Sequence, residues 1–326
     1  MPLTTSIVLC ICNGARFLAA QWDSLLAQSR RPDEIVVRDD ASSDATPVLL
    51  ETLSVRAADA GVPVRLTRNP ANLGYVANFS AALRDASGDV LFLCDQDDVW
   101  HADKLAVLAE QFEQRPDLLL MCTDARRMDA AGVALRRSLF EVLKVTRREL
   151  DALHAGDGFR VLLRRSLATG ATIALRRSLL DAALPVPAGW VHDEWLAIMA
   201  AALGGCDCVA SPLIDYRQHA ANQIGMPDRN LAAKWRDLRR PRAALIDGLI
   251  TRNEALLQRL RSLGDAIPET CRAQTADKLR HLRLRAAMRG APWRRLPRIA
   301  CEAVQGGYRR HGTGWRSVLR DLLRRD

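Results

Sequence analysis

At 326 residues, with 48 % apolar and 26 % charged side chains, the chain has the composition of a globular protein able to bury a core for one large or two ordinary domains. It holds no run near the roughly 18–20 consecutive apolar residues that span a bilayer. Its start, MPLTTSIVLC, lacks the basic region and cleavage site of a secretion signal, so a cytoplasmic protein is expected. The net charge of +9 is uneven: residues 228–326 hold 24 Lys+Arg against 10 Asp+Glu, and residues 1–227 hold 23 against 28. Two electrostatic characters imply two parts, with expected domains of 1–227 and 228–326.

Segment 5–12, TSIVLCIC, is an apolar run of strand length closed by the turn signal Asn13-Gly14. ARFLAAQWDSLLAQS then sets Phe17, Leu18, Trp22, Leu25 and Leu26 at helical spacing. DEIVVRDD is a second strand, and ASSDATPVLLETLSVRAADAG a helix with Ser42, Ser43 and Asp44 as candidate caps. PVRLTRN is a third strand, NLGYVANFSAALRDAS a turn and helix, and DVLFLCD a fourth strand. A helix is expected over 103–115, a strand and turn in LLLMCTDARRMDAAG, and helix and loop over 136–168. TGATIALRRSLLDAAL combines a turn, an apolar run and a helix. HDEWLAIMAAALGG is helical and CDCVASPLIDYRQH is a strand; from about 228 the pattern turns helical and Arg-rich. Short apolar strands alternating with amphipathic helices predict an α/β fold, doubly wound with a mostly parallel sheet, plus a basic helical extension.

Eight cysteines include the pairs Cys10/Cys12 and Cys206/Cys208, each two residues apart and so facing one side of a strand. Neither pair is a CxxC, and no His stands at zinc-finger spacing, so buried thiols rather than disulfides are expected.

In doubly wound sheets the ligand sits beyond the carboxyl ends of the strands, and the acidic clusters fall there. Asp95-Gln96-Asp97, followed by Asp98, crowds carboxylates that repel one another unless a cation neutralises them. Two acids one residue apart in a turn can face one hard divalent ion, Mg²⁺ or Mn²⁺, which also takes diphosphate oxygens. A solvated acidic turn is the alternative. Asp39-Asp40 can accept from a pyrimidine imide or from ribose hydroxyls. His192-Asp193-Glu194-Trp195 opens a helix, where Asp193 or Glu194 can cap amides or act as general base. His219 follows a strand, as a metal ligand or phosphate contact would, and Arg217 has the fork that holds phosphate. No GxxxxGK[ST], GxGxxG or GxSxG is present, which argues against an NTPase, a Rossmann oxidoreductase and a serine hydrolase.

SIVLCICNG, VVRDDASSDAT, NLGYVANFSAAL, FLCDQDDVW, TGATIALRR, HDEWLAIMAAALG and YRQHAANQIG occur in the order typical of family 2 glycosyltransferases of the GT-A fold, and over residues 4–226 the chain resembles that family. DQDDVW with HDEW and YRQH looks most like its bacterial rhamnosyltransferase-like branch. The resemblance implies inverting transfer of a sugar from a nucleotide-diphosphate donor to an acceptor hydroxyl. It implies Asp40 at the pyrimidine base with Asp39 beside it, and Cys10 and Asn13 where the first strand meets the nucleotide. Asn72 and Gly74 would lie near the ribose, and Gln96 beside the donor. It assigns Asp97 as the main metal ligand with Asp95 and His219, Mn²⁺ or Mg²⁺ as cofactor, and Asp193 as base. Trp100, Gly170, Glu194, Trp195 and Arg217 are its candidates for acceptor or phosphate contact. Cys-Ile-Cys replaces the usual Pro-Thr-Tyr, and Ala41 a common Gly. The subfamily likeness favours dTDP-L-rhamnose as donor, with a UDP-hexose second and a glycan or lipid-linked acceptor. A nucleotide-sugar-binding scaffold without catalysis is the competing class.

In the basic extension, WRDLRRPRAAL, LRHLRLRAAMRGAPWRRLPR and WRSVLRDLLRRD interleave Trp and Leu with Arg. Such helices fit an anionic membrane surface, so peripheral attachment at the inner face of the cell membrane is one expectation. A solvated bundle packed on the catalytic part is the other. No nucleic-acid module is recognised.

Overall fold

The computed structural model describes residues 2–219, 242–288 and 292–324. The expected domain boundary at 227/228 lies outside the described residues. Contacts divide the chain into two compact units. Among the described residues, one comprises those up to 162, 166–186 and 191–219; the other gathers 163–165, 187–190 and the C-terminal helices.

The first unit is built on eight described strands: β1 (Thr5–Ile11), β2 (Glu34–Asp39), β3 (Val64–Arg68), β4 (Val90–Cys94), β5 (Val99–Trp100), β6 (Leu120–Asp129), β7 (Ile173–Arg176) and β8 (Cys206–Gln218). Their order across the sheet is β3-β2-β1-β4-β7-β6-β8-β5. The pairings β1–β2, β1–β4, β2–β3 and β6–β8 are parallel; the remaining three are antiparallel. Every residue of β1 and β4 is buried, as central parallel strands covered on both faces require, whereas edge strand β3 is largely exposed. The chain runs β1 to β3 toward one edge, then returns to the other side of β1 as β4. The crevice between the carboxyl ends of β1 and β4 is therefore a topological switch point.

Helices α1 (Ala15–Leu26), α2 (Thr46–Asp59), α3 (Tyr75–Asp85) and α4 (Lys104–Gln114) link the strands. In α1, Leu18, Trp22 and Leu25 form the buried stripe, and in α4 Leu105, Leu108 and Phe112 do so. The stretch 136–168 yields three short helices, α5 (Leu139–Leu143), α6 (Arg147–His154) and α7 (Gly158–Arg164). Capping boxes at Ser138/Glu141 and Thr146/Glu149 start the first two. A 3₁₀ turn, Gly170–Thr172, leads into β7; α8 (Leu179–Ala183) and α9 (His192–Ala202) follow.

Two expectations are corrected. Ser42 and Ser43 do not cap α2; they bond to Asp39 and Asn13, while Asp44 accepts from the Thr46 and Ala15 amides. Nor are all cysteines thiols. Cys122 and Cys208 are register partners on the neighbouring strands β6 and β8, with Cα atoms 4.6 Å apart, and are joined as a disulfide.

The second unit contains α10 (Ala243–Ser262), α11 (Glu269–Ala286), α12 (Pro292–Val304), α13 (Gly307–His311) and α14 (Trp315–Leu323). α10 packs along α11, and α12 along α14. Met288, Ile299 and Tyr308 form a small core joined by Val318 and Leu322. Buried Arg285 is held by Asp321 through Nε at 2.6 Å and Nη2 at 2.9 Å, and Asp321 also accepts from Tyr308 Oη at 2.8 Å. No described helix is long and apolar enough to cross a membrane.

Candidate active site at the switch point

Three loops, after β1, β2 and β4, meet at this crevice. The Cys12 amide donates to Gln96 Oε1 at 2.7 Å, so the middle residue of Asp95-Gln96-Asp97 ties the β4 loop to the β1 loop. Asn13, at φ 54°, donates its amide to Ser42 Oγ and accepts from the Ser43 amide, fixing the β2 loop. Asn tolerates this left-handed geometry better than most residues.

Asp40 is buried and organises the far wall. Its Oδ1 accepts from Asn69 Nδ2 and the Leu73 amide, both at 2.8 Å, and Oδ2 accepts from the Gly74 amide at 2.9 Å. A carboxylate has about four acceptor positions, so Oδ2 keeps capacity for a ligand donor. Gly74, at φ 80°, completes the turn with Asn72, whose Oδ1 also accepts from the Gly74 amide. Asn72 Nδ2 reaches the Asp40 carbonyl and Cys12 Sγ at 3.2 and 3.3 Å. Asp39 accepts from Ser42 through Oδ1, while its buried Oδ2 has no hydrogen bond and lies 3.4 Å from Arg68 Nε. Cys10 is buried, and burial, then Asp95, pushes its thiol well up. Cys12, absent from the sequence-derived candidates, is half-buried and stands between Asp40 and Asn72.

The acids after β4 differ in their surroundings. Burial, then repulsion from Asp97 and Asp193, pushes Asp95 up to about 7 against the pull of Lys104. Asp97 Oδ2 lies 2.6 Å from His219 Nε2. Asp98 is fully buried: Oδ1 accepts from the Arg217 amide at 2.8 Å and Oδ2 has no hydrogen bond. Burial, then Asp97 and Asp95, raises its pKa well above the ordinary carboxylate value, opposed by the Arg217 amide and Lys104.

Among the described residues no three His, Cys, Asp or Glu side chains form a ready-made cation cage. What stands here is the Asp97–His219 pair with Asp95 close enough to repel Asp97. An oxygen-rich donor set short of a full shell suits Mg²⁺ or Mn²⁺, which complete their coordination with phosphate oxygens and water.

Asp193 is the second residue of α9 and is 8 % exposed. Its Oδ2 accepts from the Gly170 amide at 3.0 Å and its Oδ1 from the Glu194 amide at 2.6 Å, so both carboxylate oxygens are held by backbone amides, although the N-cap position of α9 is Val191. Gly170 thus acts through its backbone. Lys104, also unrecognised in the sequence, is fully buried on α4; its Nζ donates to the Ala171 carbonyl at 2.7 Å and lies 3.6 Å from the Trp100 ring centre. Burial lowers it to about 7, opposed by Cys94, Asp98 and Asp95.

Three expected acceptor or phosphate contacts are placed elsewhere. Trp100 is 3 % exposed beneath Lys104 and beside Phe92, and Trp195 is fully buried with Nε1 donating to the Ala183 carbonyl. Both are core residues, Trp100 on strand β5 and Trp195 on helix α9, each indole filling buried volume rather than facing solvent. Arg217 is 7 % exposed; its Nε donates to the Asp97 carbonyl at 2.7 Å and its guanidinium covers Phe17. It clamps the acidic loop from behind.

The profile described as glycosyl transferase family 2 matches residues 6–178. An uncharacterized glycosyltransferase of Nostoc sp., alr2836, is 28 % identical over 221 residues, covering 67 % of this chain and 65 % of its own. The uncharacterized protein Rv1520 of Mycobacterium tuberculosis is 28 % identical over 220 residues, 66 % of this chain and 59 % of its own. The chain therefore spans somewhat less than two thirds of the length of these relatives. Among solved structures, Staphylococcus aureus TarS 1–349 in complex with UDP superposes with a TM-score of 0.54 at 15 % identity, over 86 % of this chain and 71 % of TarS. The mannosyltransferase PcManGT of Pyrobaculum calidifontis, in complex with GDP-Man and Mn²⁺, gives 0.53 at 18 % identity over 98 % and 79 %.

Proposed function

The chain belongs to glycosyl transferase family 2 and has its GT-A fold, and from this we propose that it is an inverting, metal-dependent transferase moving a sugar from a nucleotide diphosphate to an acceptor hydroxyl. The observation that carries the reading is the placement of Asp193 against a turn tied to the helix after the acidic loop: Gly170 holds Asp193 while Lys104, on that helix, holds the adjacent Ala171, and Asp193 is among the charges that raise Asp95. A base and a diphosphate-binding loop facing one crevice is what in-line displacement needs.

In this reading Asp40 Oδ2 accepts from the imide N–H of the base, and the Asn72–Gly74 turn it organises lies along the ribose. Cys12 takes the place beside the base where an aromatic ring is usual. Asp97 and His219, with Asp95, would hold Mg²⁺ or Mn²⁺, which when bound offsets the charge gathering on the leaving diphosphate. Asp193 removes the proton of the acceptor hydroxyl through a carboxylate oxygen. The acceptor hydroxyl oxygen, so deprotonated, attacks the anomeric carbon as the bond from that carbon to the diphosphate breaks, and the nucleoside diphosphate departs on the opposite face with inversion. The Gly170 and Glu194 amides keep the carboxylate aimed while it gains the proton. Arg217 and Gln96 hold the acidic loop, and Glu194 and Gly170 flank the acceptor side.

We favour dTDP-L-rhamnose as donor on the likeness of DQDDVW, HDEW and YRQH to the rhamnosyltransferase-like branch. Uracil and thymine present the same imide edge, so Asp40 accepts either. TarS with UDP-GlcNAc keeps a UDP-hexose as the second reading. The acceptor would be a growing cell-surface polysaccharide or a lipid-linked glycan precursor, the latter bringing the enzyme to the inner face of the cell membrane through its basic helices. The test is mass spectrometry of nucleotide sugars incubated with the protein and Mn²⁺. Transfer or hydrolysis of dTDP-rhamnose by the wild type, with Asp193→Asn binding donor but slowed by about 10²-fold or more, is expected. Wild-type turnover by Asp193→Asn would remove the base assignment.

A further inference from the structure

The last two long helices carry apolar residues on their outer faces. Along α12, Arg295, Ile299 and Glu302 are buried and mark the packed side. Trp293, Leu296 and Val304 are 68 %, 49 % and 89 % exposed, and Pro297 and Ala300 are exposed as well. At 3.6 residues per turn these five fall within about a third of the helix circumference. α14 repeats the arrangement: Trp315, Leu319 and Leu323 are spaced i, i+4, i+8, with Trp315 67 % and Leu323 40 % exposed, while Val318 and Leu322 face the small core. The other described tryptophans, Trp22, Trp100, Trp190 and Trp195, are all buried.

The charge on this stretch is one-sided. Arg294, Arg298, Arg309, Arg310 and Arg316 are exposed. The only acids between 292 and 324 are Glu302 and Asp321, which are 2 % and 0 % exposed. Glu302 lies 2.6 Å from His281 Nδ1, and Asp321 is taken by Arg285 and Tyr308. The exposed surface of residues 292–324 therefore offers cations and apolar side chains with no carboxylate between them.

Indole, leucine and arginine together match the boundary between lipid headgroups and acyl chains. A nucleic acid would satisfy the arginines but gives Leu296, Val304 and Leu323 nothing to bury against. We propose that α12 and α14 dock on an anionic bilayer surface. Trp293, Leu296, Val304, Trp315 and Leu323 enter the headgroup–acyl boundary, and Arg294, Arg298 and Arg316 meet lipid phosphates. This makes specific the membrane-surface location proposed above, and its test contains no donor, so its failure leaves the transfer reading standing.

The experiment is flotation of the full chain with phosphatidylcholine vesicles containing or lacking phosphatidylglycerol. The wild type is expected to float only with phosphatidylglycerol, with a blue shift of tryptophan emission. Trp293→Ser/Trp315→Ser, substituted at exposed positions and checked by thermal melting, is expected to stay in solution. Arg294→Gln/Arg298→Gln/Arg316→Gln should weaken partitioning roughly fivefold per arginine. The proposal is overturned if the wild type does not float, if the tryptophan variant floats as well as the wild type, or if duplex DNA binds both forms equally and displaces the vesicles.

Discussion

Lys104 Nζ donates to the carbonyl of Ala171 at 2.7 Å, and the preceding residue of that 3₁₀ turn, Gly170, donates its amide to Asp193 at 3.0 Å. A buried amine on the helix that follows the acidic loop thus anchors the turn that aims the proposed base. Lys104 also draws Asp95 back toward its ionised form.

Lys104→Met, which keeps chain length and removes the donor, should lower kcat about tenfold or more while KM for the donor changes little. Stability should change by no more than about 1–3 kcal/mol, the cost of leaving the Ala171 carbonyl unpaired. Steady-state kinetics beside a urea melt checks both. Equal losses in kcat and KM, or none, would assign Lys104 to packing alone.

Asp40→Ala should act on fold and binding together. It removes the acceptor of the Asn69, Leu73 and Gly74 donors, and hydrogen bonds to a charged group are each worth about 1.5–3 kcal/mol. Asp40→Asn keeps one oxygen but turns an amide toward another donor, so an intermediate loss is expected. Melting temperature and nucleotide affinity should fall in the order wild type, Asn, Ala.

His192 carries a pH signature. The ring is 5 % exposed, stacked on Phe79 at 4.2 Å, with neither ring nitrogen hydrogen-bonded, and burial lowers it to about 3. Above its ordinary value near 6.5 both folded and unfolded chains hold it neutral. Between 6.5 and 3 only the unfolded chain takes the proton, so stability falls with pH by on the order of 1.4 kcal/mol per unit. His192→Phe should flatten that part of the curve in denaturant melts between pH 7 and 4. An unchanged slope would mean that protonation elsewhere governs it.

The sheet was legible because β1, β2 and β4 are short apolar runs that central parallel strands demand, and because α1 and α4 bury regular stripes. The position of the acidic loop was legible because it directly follows β4, whose carboxyl end borders the switch point. Trp100, Trp195 and Arg217 were misplaced since proximity in sequence to an acidic motif says nothing of which way a side chain turns. Trp100 and Trp195 point into the core, and Arg217 returns to the Asp97 carbonyl. Lys104 gave no signal at all. A lysine in the first turn of an amphipathic helix looks solvated, and only its burial against Ala171 and Trp100 reveals otherwise. The Cys122–Cys208 link needed the β6–β8 register, which spacing 86 residues apart does not supply.

The most direct measurement is calorimetric titration of dTDP and UDP into the wild type and Asp97→Ala, each with Mn²⁺ and with chelator. Mn²⁺ should strengthen nucleotide binding by about tenfold or more in the wild type and leave Asp97→Ala unaffected. Equal affinity in all four conditions would contradict a cation-assisted diphosphate site at Asp95–Asp97, and with it the transfer mechanism.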